Sequence, residues 1–250
     1  MTDHRGCDRS ADDWWDTHHL PYLPKRGDDL WRVPYFRQVL AETSRSRPHG
    51  ACLLDVGCGS GLLSEEFAAL GYRVTGLDPS PSTLAAARAH AAALKLPIEY
   101  RWGAGEFLPF EDASFEVVVC RDVLEHLPAW SAVVAEAARV LKPGGIFLYA
   151  SINRAVKSKR PMARLNQVWS RPRFAPPNLR AREMFVTRRE FQDVLARYDL
   201  HSRGMVSASE IHGVLRTPVA LRHLKAGKIS AAQFGRRADL SGNFMGYAVK

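Results

Sequence analysis

Between Ala51 and Ser151 short apolar runs alternate with longer amphipathic stretches, and this alternation does most to restrict the folds open to the chain. Cys52–Val56, Arg73–Leu77, Ile98–Trp102, Phe115–Cys120 and Ile146–Ser151 read as buried strands. Leu62–Leu70, Pro81–Leu94 and Trp130–Leu141 read as the helices between them. Repeated strand–helix–strand units bring strands together in parallel and cover both faces of the sheet with helices. After Ile152 the pattern breaks into a basic, proline-containing stretch. It resumes with a helix at Arg188–Tyr198, a strand at Leu200–Ser207 and a closing strand at Phe244–Val249. The expectation is an α/β fold with a seven-stranded, mostly parallel sheet and an antiparallel last strand. One domain would span 1–250: an N-terminal helical cap (1–48), a core (49–153), a basic insertion or lid (154–189) and the C-terminal part of the sheet (190–250).

At 250 residues the chain can bury a full core. No apolar run reaches the ~18 residues that suggest a membrane span, and the polar start MTDHRGCDRSADDWWD has no signal core, so a cytoplasmic location is expected. Cys7, Cys52, Cys58 and Cys120 show no metal-type spacing, and Cys52, Cys58 and Cys120, in or beside strands, are expected to pack. The net charge of +9 is unevenly placed: residues 1–153 carry 15 Lys and Arg against 20 Asp and Glu. Residues 154–189 carry eleven cations and one acid, and 211–238 six cations and no acid. Positive charge is therefore gathered in two late segments, where a partner would feel it.

The sequence Leu54-Asp55-Val56-Gly57-Cys58-Gly59-Ser60-Gly61 follows a strand and opens a helix. Glycines there let the chain turn tightly and let a ligand approach the backbone. Asp78 ends the next strand, 17 residues past Gly61, where an acid accepts the hydroxyls of an adenosine ribose. A dinucleotide fingerprint is G-x-G-x-x-G, but Leu62 stands where its last glycine would fall. Asp55, two residues before Gly57, opposes a diphosphate and suits the ammonium and sulfonium of S-adenosylmethionine. Arg139-Val-Leu-Lys-Pro143-Gly144-Gly145 reads as a helix end and turn before the fifth strand.

These two phrases together resemble class I S-adenosylmethionine-dependent methyltransferases, a Rossmann-like family. Gly103-Ala-Gly105-Glu106-Phe107 resembles the loop that receives adenine in that class, although the usual acid after the first glycine is Ala104 here. From Trp14 onward the chain resembles the O-methyltransferases of ubiquinone biosynthesis, which act on polyprenyl catechols and demethylubiquinol. The phrases carrying this are Trp14-Trp15-Asp16, the glycine loop through VTGLD, Cys120-Arg-Asp-Val-Leu-Glu-His126 and Ser151-Ile-Asn153-Arg154. The resemblance implies a cofactor site of Arg37, Asp55, Gly57, Gly59, Gly61, Asp78, Pro79, Glu106, Phe107 and Arg121, with Arg37 at the cofactor carboxylate.

A phenol, with a pKa of about 10, needs a base to lose its proton near neutrality. His126 is the candidate, with Asp122 beside it, because ligands bind at the carboxyl edge of such sheets. The alternative is that Glu125 and His126 merely start a helix. In the resembled family an E-x-x-E-H set holds magnesium, which nominates Asp122, Glu125 and His126 as ligands of Mg2+. Imidazole is a poor partner for so hard a cation. Trp14, Trp15, Trp31, Tyr35 and Phe36 would line a pocket over the site or simply pack.

In residues 157–174 cations interleave with Met162, Leu165, Val168 and Trp169 on one face of a helix. Such a segment suits an anionic membrane surface, and the lipophilic quinone precursor implied by the resemblance would make peripheral contact at the inner membrane face useful. A lid over an anionic substrate and a solvated surface are the competing readings. Nucleic acid is not expected, since no N/D-P-P-Y type motif follows strand four. The implied reaction is methylation of a phenolic or catechol hydroxyl on a quinone-like molecule. The runner-up is a natural-product tailoring enzyme methylating oxygen, nitrogen or carbon. A binding protein on a methyltransferase scaffold is a third reading, opposed by the intact Asp55, glycines and Asp78.

Overall fold

The computed structural model describes residues 23–43, 48, 50–152, 186–207 and 243–250. In chain order the elements are α1 (Leu23–Thr43), β1 (Cys52–Val56), α2 (Leu62–Ala69), β2 (Arg73–Asp78), α3 (Pro81–Ala93), β3 (Glu99–Trp102) and β4 (Phe115–Arg121). A one-turn 3-10 helix (Leu124–His126) precedes α4 (Trp130–Val140), β5 (Leu141–Ile152), α5 (Arg188–Arg197), β6 (His201–Ser207) and β7 (Asn243–Val249). The seven strands form one sheet in the order β3-β2-β1-β4-β5-β7-β6. β1 to β5 run parallel, and β7 lies antiparallel between β5 and β6. The expected sheet, with its antiparallel last strand, is the one observed.

Order reverses at β1, whose neighbours β2 and β4 are reached by connections running in opposite directions along the sheet. Their carboxyl ends diverge there and leave a crevice, the usual place for a ligand in this architecture. Local chemistry fixes the helix starts around it. Ser80 caps α3, accepting from the Thr83 amide at 3.3 Å with Pro81 at the first helical position. Thr187 and Glu190 form a reciprocal capping box on α5.

Alternation along β1 sends Leu53 to one face and Leu54 to the other, both fully buried. On the Leu53 face α1 contributes Phe36, Val39 and Leu40 to a core with Val117, Val119, Ile146, Leu148 and Met245. On the Leu54 face α4 and α5 pack Val133, Val134, Phe191 and Leu195 against Val118, Cys120, Phe147 and Tyr149. Tyr35 and Phe36 are therefore core residues, not pocket lining. The Tyr35 hydroxyl also donates to the Gly204 carbonyl at 2.9 Å and ties α1 to β6. Trp14 and Trp15 lie outside the described residues, as does the Trp31 side chain.

One boundary differs from expectation. β5 begins at Leu141 rather than Ile146, so Lys142 to Gly145 sit within a strand and not in a separate turn. Leu141 pairs with Phe115, and the register then slips before Val117 pairs with Ile146. Gly144 takes φ 77° inside this irregularity, and its amide donates to the Lys250 carbonyl at 2.8 Å. The helix stop was legible, but the tertiary partner that turns glycines into a bulged strand was not. Most of the basic insertion, 153–185, and the second basic segment lie outside the described residues. Among the described residues no helix is long and apolar enough to cross a membrane.

Candidate cofactor and acceptor site

The glycine loop wraps over the end of β2, with the amides of Gly57 and Cys58 both donating to the Leu77 carbonyl, at 2.7 and 3.1 Å. Gly57 sits at φ 70°, and a Cβ there would lie 2.3 Å from Val123 Cγ2. Both the backbone and the close approach of the turn after β4 therefore require glycine. Gly59, at φ 54°, is different: a Cβ built on it would meet nothing within 4 Å. Its open side gives room for a ligand against the backbone.

Asp78 borders that opening, and a second carboxylate, Asp55, is buried close enough to feel its charge. Asp78 Oδ2 accepts from the Gly59 amide at 2.9 Å, while Oδ1 accepts from the Ser80 amide at 2.9 Å and the Thr83 hydroxyl at 3.1 Å. Each ionised oxygen offers two lone pairs, so Oδ1 is filled by its two donors and Oδ2 keeps one for a ribose hydroxyl. Asp55 is 2% exposed and accepts from the Ser64 hydroxyl at 2.6 Å. Burial pushes its carboxyl up to about 6, Ser64 opposing the rise and the nearby Asp78 charge adding to it. A diphosphate brought here would add negative charge to a site already crowded with it, whereas a cation would relieve it. The residues present thus fit S-adenosylmethionine, and Ser64 is a partner of Asp55 that sequence reasoning missed.

The Pro79 carbonyl accepts from Trp102 Nε1 at 3.0 Å, placing an indole that is 68% exposed next to the residue that follows Asp78. Phe107 is 80% exposed on the following loop, where Ala104 and Phe107 form a β-bridge, and Glu106 is half-buried. Two large exposed apolar rings, one ending β3 and one on the loop after it, supply flat faces on which a base can stack. Trp102 was not singled out from sequence, although an aromatic ending a strand at the carboxyl edge was a readable signal.

The turn after β4 brings together the acceptor-side candidates. Arg121 is half-buried, and Asp122 takes φ 56° with its amide donating to the Ala150 carbonyl at 2.9 Å. Glu125 is 4% exposed and accepts from the Ser151 hydroxyl at 2.8 Å. Burial first, and then the Asp122 charge, push the Glu125 carboxyl well above the usual carboxylate range. His126, on the same 3-10 turn, is exposed.

The structure bears on two further expectations. Asp122, Glu125 and His126 do not converge as a metal-holding group, and no other three His, Cys, Asp or Glu side chains do so among the described residues. Glu125 turns into the core toward Ser151 while His126 faces outward, so their adjacency in sequence separates them in space. Arg37 is exposed on α1. The α1 arginine that reaches the carboxyl edge is Arg32, 2% exposed, whose Nη1 donates to Asp122 Oδ2. Five residues along a helix is a rotation of roughly 140° at 3.6 residues per turn, so the two arginines cannot share a face.

Residues 54–149 match the methyltransferase domain family. Beyond them the chain is similar to a ubiquinone biosynthesis O-methyltransferase of Methylobacterium nodulans, 37% identical over 157 residues, 60% of this chain and 63% of the relative. A Paramagnetospirillum magneticum protein of the same name is 39% identical over 59% of this chain and 61% of its own length. The match thus spans less than two-thirds of these relatives. A solved structure from Pyrococcus horikoshii shares the fold with a TM-score of 0.61, 18% identity and coverage of 91% of both chains. So does geranyl diphosphate C-methyltransferase from Streptomyces coelicolor, at 0.59, 17% identity, and 97% of this chain against 88% of that one. Residues 54–149 thus match a methyltransferase domain, and the chain that carries them is similar to the O-methyltransferases of ubiquinone biosynthesis.

Proposed function

We propose that the chain transfers a methyl group from S-adenosylmethionine to a phenolic or catechol hydroxyl of a quinone-like molecule. The observation that carries this is the open side of Gly59, held by Asp78, with the buried Asp55 near enough to feel the Asp78 charge. That arrangement receives a cationic nucleoside and repels a diphosphate. The cofactor supplies a methyl group on a positively charged sulfur, ready for in-line displacement. Asp78 holds a ribose hydroxyl through the free lone pair of Oδ2. Asp55 provides negative potential for the cationic end through a low-dielectric interior, where charge acts over longer range. Glu106, Phe107 and Pro79 flank the base, and Arg121 stands at the edge of the same crevice.

Positioning supplies much of the rate in such a displacement. What remains is the acceptor proton, which His126 would take from the hydroxyl oxygen onto a ring nitrogen as the new O–methyl bond forms, the methyl–sulfur bond breaks and neutral S-adenosylhomocysteine leaves. Its exposure lets that proton pass on to water. The quinone-like acceptor is supported by the names of the two relatives. An acceptor of this kind is lipophilic, and the cations of residues 154–189 give the chain a means of peripheral contact with an anionic membrane.

The test is a screen with methyl-labelled cofactor over catechols, hydroquinones, plain phenols, amines and carbon acids. Label on the oxygen of catechols or hydroquinones, and little on the amines, supports the reading. Label only on nitrogen or carbon overturns the acceptor class and leaves the tailoring enzyme. Cofactor binding with no label on any acceptor overturns the transferase.

A further inference from the structure

Asp122 occupies a strained place. Its φ of 56° is left-handed, a region that Asp and Asn tolerate better than other L-residues. Its amide is pinned to β5 through Ala150, and its carboxylate meets the Arg32 guanidinium, 90 positions earlier in sequence. The Arg32 side chain is 3% exposed and that of Asp122 27%. Three residues on, Glu125 is rooted in β5 through Ser151. Between these anchors runs the turn that ends in the exposed His126, whose amide donates to the Val123 carbonyl at 2.9 Å.

α1 is itself a firm base for this contact. Phe36 is fully buried and Tyr35 reaches the Gly204 carbonyl, so the helix carrying Arg32 is tied both to the sheet face and to β6. A buried ion pair seldom adds much net stability, because desolvation offsets the attraction; its best-attested use is to specify an arrangement. Backbone strain kept at a crevice carries the same implication. We infer that Arg32 and Asp122 form a strut that fixes the His126-bearing turn against α1, and that Asp122 is a positioning residue acting through Arg32. This rests on the methyltransferase reading for its catalytic consequence, but not for its structural one.

The consequence is non-additivity. If Asp122 works only through Arg32, removing either end of the strut removes the whole of it, and removing both adds nothing. Asp122→Asn and Asp122→Gly both keep the left-handed backbone accessible, so their effects isolate the carboxylate. Arg32→Met keeps length and apolar volume without charge.

The experiment is a double-mutant cycle on the acceptor found by the screen, with hydrogen exchange of the free protein as a second readout. Asp122→Asn, Asp122→Gly and Arg32→Met should each lower kcat at least about tenfold and raise exchange in residues 123–127. The double variant Arg32→Met/Asp122→Asn should be within about twofold of the slower single one. Affinity of Asp122→Asn for S-adenosylhomocysteine should stay within about twofold of wild type. Arg32→Lys, which keeps a cation, should recover part of the rate, and Arg32→Gln replaces Arg32→Met in the cycle should that variant not fold. Multiplying effects, or a slow Asp122→Asn beside an Arg32→Met of wild-type rate, would overturn the strut and make Asp122 act directly. Unchanged exchange in 123–127 would overturn it too. A wild type that binds no S-adenosylhomocysteine refutes the methyltransferase reading instead, and the strut is then judged on exchange alone.

Discussion

Asp78 Oδ2 accepts a hydrogen bond from the Gly59 amide at 2.9 Å, so the acid that ends β2 also holds the glycine loop of β1 in place. One carboxylate thus joins the two strands that flank the crevice, and the ligand it is proposed to bind completes a constellation the fold has already assembled. Loop, acid and opening should therefore respond to substitution as a unit.

Gly57 is the first case. Alanine there combines a backbone penalty of roughly 1–2 kcal/mol at positive φ with a Cβ 2.3 Å from Val123 Cγ2. Gly57→Ala should lower the melting temperature and weaken S-adenosylhomocysteine binding. Adding Val123→Ala should recover the part due to the clash and leave the backbone part. No recovery of melting temperature in the double variant would mean the turn after β4 does not press on the loop.

Asp55 makes stability depend on pH. Its folded-state pKa of about 6 lies above the ordinary 3.8, so the folded chain holds this proton more tightly than the unfolded one. Stability from that proton is full below about pH 4 and lost as pH rises through about 6, a loss of roughly 3 kcal/mol at about 1.4 kcal/mol per unit. Asp55→Asn keeps an acceptor for Ser64 and removes the buried charge. Denaturant melts from pH 4 to 8 should show the variant gaining on wild type between pH 4 and 6 and ahead of it above, while binding cofactor more weakly. A difference independent of pH would clear Asp55 of this role.

His126 is the proposed base. His126→Ala should lower turnover by about 10²–10⁴ and leave S-adenosylhomocysteine affinity near wild type. Because Asp122, Glu125 and His126 do not converge on a metal, a chelator should leave the wild-type rate unchanged. A wild-type rate in His126→Ala would leave positioning alone to explain the reaction, and chelator sensitivity would restore the ion.

The basic insertion predicts salt-dependent membrane contact. Wild type should sediment with vesicles containing anionic lipid, and release as salt shortens the ~10 Å screening length. A variant with Lys157, Lys159, Arg160 and Arg164 made neutral should stay in solution. Equal sedimentation of the two would assign these cations another task.

What the sequence disclosed was whatever is encoded locally. The strand–helix periods placed nearly every element within one or two residues of its observed ends, and the spacing of Gly57, Gly59, Gly61 and Asp78 marked the crevice. Contacts between distant segments were invisible: Arg32 with Asp122, Glu125 with Ser151, and Leu141 with Phe115 join residues 26 to 90 positions apart. Arg32 nevertheless left a trace. It lies at i, with Tyr35, Phe36, Val39 and Leu40 at i+3, i+4, i+7 and i+8, the buried stripe of α1, whereas Arg37 falls off that stripe. A charge on an apolar helical face has to meet a partner, and here that partner belongs to the site.

The central claim is that the loop and Asp78 bind the adenosyl cofactor, and calorimetric titration of S-adenosylhomocysteine into wild type and Asp78→Ala tests it directly. The account predicts saturable one-site binding by the wild type and an affinity lower by roughly 1–3 kcal/mol in the variant, the worth of charge-assisted hydrogen bonds to the ribose. Equal affinity in two folded proteins, or no binding by the wild type, would contradict it.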